Sequence, residues 1–375
     1  PDIYQGSHDS YLKHGLVAPK GDPVPLAAML TGATSEIGLV ATMSTLAYPP
    51  FLLARLASTI DSLSEGRFGW NIVTSAQDTA AQNFGMDVLP EREERYARAD
   101  EYLELVTQLW RSWEPDAVVN DRASGVYVDG QKVRPINFEG RYYKCRGPLN
   151  CVPSPQQVPT LVQAGGSPTG RDFAARHADA IVAGASSVEK MKAFRADIRQ
   201  RAAGFGRDPD EIKVLFLAAP VLGATTEEAE ATYAAMLNGP NFVERKLATV
   251  SALTDLDFAQ YDLHSPLPGR LTTNGEQGTL DAFQFVQRLA GAELATAGPG
   301  IAASVHLVGT PDDVAETMGR TMEEVGGDGF LLTTNAQTMS RRQVIEICDG
   351  LVPALQRKGL ARTRYQPGQL LRDRL

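Results

Sequence analysis

The stretch from Glu36 to Ser75 constrains the fold more than any other. Glu36 to Ser44 (EIGLVATMS) is a short apolar run dense in Ile, Val and Thr. Pro49 and Pro50 then open a helix with apolar positions at Leu52, Leu53, Leu56, Ile60 and Leu63, and Glu65-Gly66 stops it. Arg67 to Ser75 (RFGWNIVTS) reads as the next buried strand. A near-continuous apolar strand, an amphipathic helix and a second such strand predict a parallel sheet covered by helices. Both strands end in small polar residues: Ser44-Thr45 on the first, and Asn71, Thr74 and Ser75 on the second. In parallel folds ligands sit at these carboxyl ends.

The pattern recurs along the chain. Six core strands are predicted, at 36–44, 67–75, 160–164, 179–183, 212–222 and 329–333, with helices between them. One helix runs over Glu91 to Trp113, and another starts after the N-cap Ser167. Two irregular stretches rich in Pro and Gly, at about 114–158 and 238–303, read as insertions. The second is long enough to be a lid or an oligomer contact. A closing helix is expected over Ser340 to Lys358, then a polar, basic tail. Such an alternation closes best as an eight-stranded (β/α)8 TIM barrel in one domain spanning residues 1–375. Six strands are two short of that. The chain begins at Pro1 without an initiator Met, and the expectation is that the first two strands lie before residue 1. The alternative is an open, doubly wound six-stranded sheet. No Gly-rich dinucleotide turn follows an early strand to support it.

Charge and cysteine content narrow the partners. Lys plus Arg number 36 against 45 Asp plus Glu, a net charge of −9, which argues against nucleic acid or anionic membrane as the main partner. No apolar run approaches the ~20 residues of a spanning helix. The three cysteines, Cys145, Cys151 and Cys348, have no metal-like spacing, which fits a reduced, cytoplasmic setting.

Acid–base and metal motifs are sparse. His8, His14, His177, His264 and His306 are scattered, and no pair has the i, i+4 spacing of a zinc site. No Gly-x-Ser-x-Gly elbow is present. The stretch Gly166-Ser167-Pro168-Thr169-Gly170-Arg171 is more informative. It joins a strand end to a helix start, so free backbone N–H groups, a hydroxyl and a guanidinium come together as a phosphate seat. Read blandly, the same residues are an N-cap and a surface arginine.

These residues also carry a resemblance. STLAYPPFLLARLASTIDSLSEGRFGWNIVTS (Ser44 to Ser75) resembles the signature of the bacterial luciferase-like flavin monooxygenases, in the branch holding nitrilotriacetate, dibenzothiophene sulfone and long-chain alkane monooxygenases. NFG (Asn83 to Gly85), ERYARADEYLELVTQLWRSWE (Glu94 to Glu114), RGPLN (Arg146 to Asn150), SPQQVPTLVQAGGSPTGRDFAARHAD (Ser154 to Asp179) and RTRYQPGQLLRDRL (Arg362 to Leu375) extend it over essentially the whole chain.

The resemblance implies a TIM barrel and a two-component enzyme. Reduced FMN (FMNH2) would arrive from a separate NAD(P)H-dependent flavin reductase and react with O2. A flavin C4a-peroxide would then oxygenate a small organic substrate of organosulfur, aminopolycarboxylate or alkane type. It also implies a homodimer or homotetramer. Position by position, Thr42 matches a strand-end Thr at the flavin ring, and Asn71 and Ser75 match the flavin wall, with both expected to point inward. Tyr96 matches a Tyr reaching the phosphate or ribityl chain. Gly166 and Ser167 match the phosphate turn, with Arg171 beside it. Two positions depart from the pattern. Arg92 stands where relatives usually carry His, and can still pair with phosphate. Ala76 stands where some relatives carry His.

No catalytic side chain follows from the resemblance; His8, His264 and His306 are the histidines near plausible mouths. Phe242, Tyr261 and Phe283 suggest an apolar lid, whereas Arg245 and Arg270 would suit carboxylates. Two other readings remain open at this stage: a luciferase-like flavin or deazaflavin oxidoreductase that does not oxygenate, and a flavin-binding barrel without catalysis. The nitrilotriacetate-monooxygenase-like pieces around Arg146 to Pro159 argue against the first of these.

Overall fold

The computed structural model describes residues 20–185, 187–239, 242–258, 271–281, 305–333 and 340–375, together with Lys13, Gly15, Gly269 and Gln284. Its centre is a six-stranded sheet: β1 (Leu39–Ser44), β2 (Phe68–Val73), β3 (Thr160–Gln163), β4 (Ala180–Ala183), β5 (Lys213–Ala218) and β6 (Gly329–Leu332). Every pairing is parallel, and the strands lie side by side in chain order. An open doubly wound sheet reverses its order at a switch point; this sheet does not, which is how a barrel winds.

The longer helices are α1 (Pro23–Ala33), α2 (Pro50–Leu63), α3 (Arg92–Trp110), α4 (Pro168–His177), α5 (Val188–Gly204), α6 (Thr226–Leu237), α7 (Phe242–Thr254) and α8 (Pro311–Val325). Several are started by side chains. Ser167, Ser187 and Thr225 accept from backbone N–H groups of α4, α5 and α6, and Thr310 and Asp313 form a reciprocal capping box on α8. Alternation along the strands divides the molecule. Ala41 and Met43 of β1 and Phe68, Trp70 and Ile72 of β2 pack with α2 and α3 into one core. The indoles of Trp70 and Trp110 donate to Met43 O and Ala54 O, both at 2.9 Å. A second core lies under α4, α5 and β5.

Two expectations change. The strand expected over 212–222 breaks in two, because Pro220 cannot donate to a ladder. Val221–Leu222 leaves the sheet to pair with Val308–Gly309. The closing helix is also interrupted. Pro353 lacks an N–H, and a π-helical turn over Glu346–Leu351 separates Arg341–Ile345 from Val352–Arg357. The stretch from 114 to 158 forms two small hairpins, Val118–Asp121 with Val126–Val128 and Phe138–Glu139 with Lys144–Cys145.

The tail plugs the amino end of the sheet. Leu371 is 7% exposed, and its N–H donates to Gly66 O at 2.8 Å. Gly38 makes room for it, since a Cβ there would stand 2.4 Å from Leu371 Cδ1. Arg372 fastens the plug to Asp179 at 2.9 Å. Leu371→Ala should therefore destabilise the fold by roughly 2–4 kcal/mol, the cost of a buried leucine cavity. An unchanged urea midpoint would contradict the plug.

Candidate functional site

The carboxyl tips of the strands open onto a cavity of about 940 Å³. Thr42, Asn71, Ser75, Arg92, Tyr96, Gly166, Ser167 and Arg171 all line it, although they span 130 residues of chain. The structure thus brings together every position singled out for the flavin. His306 is not in the lining; its Nε2 lies 3.1 Å from Glu230 and its ring packs edge-on to Tyr233. His8 and His264 lie outside the described residues, as do Tyr261, Arg270 and Phe283.

One wall comes from β1 and β2. The parallel register sets Thr42 beside Asn71, and Asn71 Nδ2 donates to Thr42 Oγ1 at 2.9 Å. Asn71 Oδ1 is buried without a partner, so the wall holds an acceptor for a ligand N–H or O–H. Ser75 lies beyond the strand, which ends at Val73. Its φ is +63°, so strand alternation does not reach it. The Ser75 and Ser44 hydroxyls are 2.9 Å apart, across the tips of the two strands.

The opposite wall is the turn after β3. Ser167 Oγ accepts from Gly170 N at 3.1 Å, and Pro168 occupies the first helical position, where a missing N–H costs nothing. The Tyr96 ring packs on Phe173, and its hydroxyl lies where a Gly170 side chain would be, 2.8 Å from a Cβ built there. Burial pushes the Tyr96 phenol up, so it stays a neutral donor. Gln163 lies below with its Nε2 3.5 Å from that hydroxyl; its Oε1 is buried and unpartnered. Arg171 does not reach freely into the cavity. Its Nε donates to Gly166 O at 2.9 Å, its Nη1 pairs with Asp197 at 2.9 Å, and its guanidinium covers the Phe194 ring. It braces the turn. The next strand-to-helix turn, at Gly184-Ala185, lines the same rim and leads into α5.

A segment of the second insertion covers the cavity. Gly275 to Thr279 line it from above. The segment is held by the first turn of α3. Arg92 Nη2 donates to Thr273 O and Gly275 O at 2.8 and 2.9 Å. Arg95 Nη1 donates to Asn274 Oδ1 at 2.8 Å, and its Nη2 to Asn274 O at 2.9 Å. Arg95 is only 5% exposed; burial, then the nearby Arg92 charge, lowers its pKa to about 10. Gln77 adds a bond from its amide to Ala252 O on α7. Sequence reasoning missed Arg95, Gln77, Asn274 and Glu276. Arg92, expected at the phosphate, lines the cavity and gives its Nη2 to the cover.

Residues 6–329 match the family described as luciferase-like monooxygenase. The chain belongs to this family. It is 38% identical to dimethyl-sulfide monooxygenase of Hyphomicrobium sulfonivorans, over 99% of this chain and 77% of that protein. It is 35% identical to long-chain alkane monooxygenase of Geobacillus thermodenitrificans (strain NG80-2), over 98% of this chain and 79% of that protein. The crystal structure of a riboflavin lyase with modified FMN and substrate riboflavin superposes with a TM-score of 0.87 at 35% identity, covering 100% of this chain and 82% of that one. The fold is accordingly that of the luciferase-like TIM barrels, and the cofactor of these enzymes is reduced FMN. The cavity suits it: the volume is ample, two amide oxygens in its walls are buried without a partner, and a helix start is ready for a phosphate.

If Arg95 is the main fastener of the cover, Arg95→Met should raise amide exchange over residues 273–280 by about tenfold or more. A hydrogen bond from a charged donor contributes roughly 1.5–3 kcal/mol. Exchange in β1 and β2 should not change. Equal protection in both proteins would show that the cover is held by something else.

Proposed function

We propose that this chain is the oxygenase component of a two-component monooxygenase, receiving FMNH2 from a separate NAD(P)H-dependent flavin reductase. The substrate is a small organic molecule of organosulfur, aminopolycarboxylate or alkane type. The observation that carries this reading is the cavity itself, which joins a polar wall for a ring, a turn for a phosphate and a cover held by hydrogen bonds. Bound reduced FMN supplies the electrons and the site of O2 activation.

The protein's own residues have simpler tasks. Asn71 and Thr42, tied to each other, orient the ring edge. Tyr96 and Ser167 present hydroxyls toward the ribityl and phosphate end, and Arg171 keeps the Gly166 carbonyl turned away from it. Arg92 and Arg95 hold the cover down and keep water out. None of this needs a histidine. A cover fixed by polar bonds to carbonyls can open in water, as a cofactor that arrives and leaves requires.

We also place the enzyme in the cytoplasm and expect it to act as a homodimer or homotetramer. Three unpaired cysteines support the first. Exposed apolar side chains on α1 and α2 support the second, Leu26 at 53%, Met29 at 64% and Leu63 at 56%.

The test of function is a screen under 18O2. A generic NADH-dependent FMN reductase supplies FMNH2, and thioethers, sulfones, aminopolycarboxylates and alkanes are offered in turn. One class should gain a single labelled oxygen atom. Hydrogen peroxide alone with every class would contradict the reading. For the phosphate seat, Ser167→Ala combined with Arg171→Ala removes a hydroxyl that can bond the phosphate and the brace that shapes the turn, and should weaken FMN binding by roughly tenfold to a hundredfold. Unchanged flavin quenching would remove that assignment.

A further inference from the structure

The charges around the cavity are lopsided. Arg92, Arg95, Arg171 and Lys190 line it, and Glu276 is the single carboxylate among the described lining residues. Its backbone is fixed: Glu276 N donates to Leu253 O at 2.9 Å, and Glu276 O accepts from Leu280 N at 3.2 Å. Its Oε2 accepts from the Thr279 hydroxyl at 2.8 Å, and it makes no ion pair among the described residues. The residue as a whole is exposed, so its carboxylate can exchange a proton with solvent; the protein atoms crowded around the carboxylate raise its pKa, and the Thr279 hydroxyl opposes that rise.

The groups around it are already engaged. From α3, Arg92 and Arg95 bond to carbonyls of residues 273 to 275 and to the Asn274 side chain, and Tyr96 is neutral. At the strand-to-helix turns, Arg171 is paired with Asp197, and Lys190 sits on the first turn of α5. The acids Asp255, at the end of α7, and Asp281, on its own segment, add negative charge on the cover side. Gly275, the residue before Glu276, is held by Arg92; Tyr96 stands one turn further along α3, with its hydroxyl at the first turn of α4. The one carboxylate among the described lining residues therefore lines the same cavity as the phosphate seat.

We propose that Glu276 is an electrostatic counterweight to the FMN phosphate: the carboxylate opposes the bound dianion, takes up a proton from solvent when FMN settles, and returns it when FMN leaves. The inference rests on the reading of the Gly165–Ser167 turn as the phosphate seat. Its consequence is that flavin held by an otherwise cation-lined cavity still exchanges. The sign follows from linkage. The phosphate raises the Glu276 pKa above its value in the free protein, so between those two values binding takes up a proton. FMN affinity falls as pH rises through that window. Riboflavin, which has no phosphate, is exempt.

The test is fluorescence titration of the full chain and its Glu276→Gln variant with FMN and with riboflavin, from about pH 5.5 to about pH 8.5. Comparing the two proteins at each pH cancels the phosphate's own titration. At the alkaline end E276Q should bind FMN about fivefold more tightly, the effect of removing one charge several ångströms away in a partly wet cavity. The advantage should shrink toward the acid end, and riboflavin affinity should be the same in both proteins. Equal FMN affinity at every pH overturns the proposal. Equal tightening of riboflavin also overturns it, because Glu276 would then face the ring. If the wild-type protein binds FMN no more tightly than riboflavin, the phosphate seat itself fails and the inference goes with it.

Discussion

Everything at the site depends on the parallel register of β1 and β2. It sets Leu39 against Phe68 and, three residues on, Thr42 against Asn71. Because side chains alternate, that one register sends Met43, Trp70 and Ile72 to the helices while Thr42 and Asn71 face the interior. A slip of one residue would bury the polar pair among α2 and α3 and turn Trp70 into the cavity. The indole bond from Trp70 to Met43 O guards against that slip from the helix side. The Asn71–Thr42 bond guards against it from the inner side. The inner face is then layered from bottom to top: Leu371 against Gly38 and Gly69, the Thr42–Asn71 pair, and the two serine hydroxyls at the rim.

The cover follows a different logic from the barrel. The barrel is held by apolar burial, which does not let go in water. The cover meets the barrel through Arg92, Arg95, Gln77 and Asp78, mostly at backbone carbonyls and amides. Each such bond contributes a few kcal/mol at most and can be replaced by a bond to water when the cover lifts. A barrel that stays and a cover that lets go suit a cofactor that is borrowed. The two arginines thus act on the cover's geometry, while Glu276, on the cover itself, carries the charge proposed to oppose the flavin phosphate.

Local patterns in the chain were enough to read the barrel strands and the two walls of the site. Each rests on short-range chemistry: an apolar run with a polar tip, or Ser-Pro after a strand. Asn71 and Ser167 were legible because strand ends and helix starts announce themselves; Thr42 came only with the family resemblance. Arg95 and Asn274 were not. They lie 179 residues apart and meet only through the path of an insertion whose course no local pattern dictates. Glu276 was silent for the same reason, since nothing in NGEQG marks a carboxylate that lines a cavity. Ser75 was half legible: its place at the cavity could be read, but its left-handed backbone could not. Pro220 and Pro353 were visible in the sequence and underweighted, and both broke an element expected to run on.

The account stands on one placement of the flavin, and a crystal structure of the chain soaked with FMN tests it most directly. The account predicts the ring against the Thr42–Asn71 wall, with the phosphate on the Gly165–Ser167 turn beneath residues 275–279. Flavin seated anywhere else, or with its ends reversed, would contradict it.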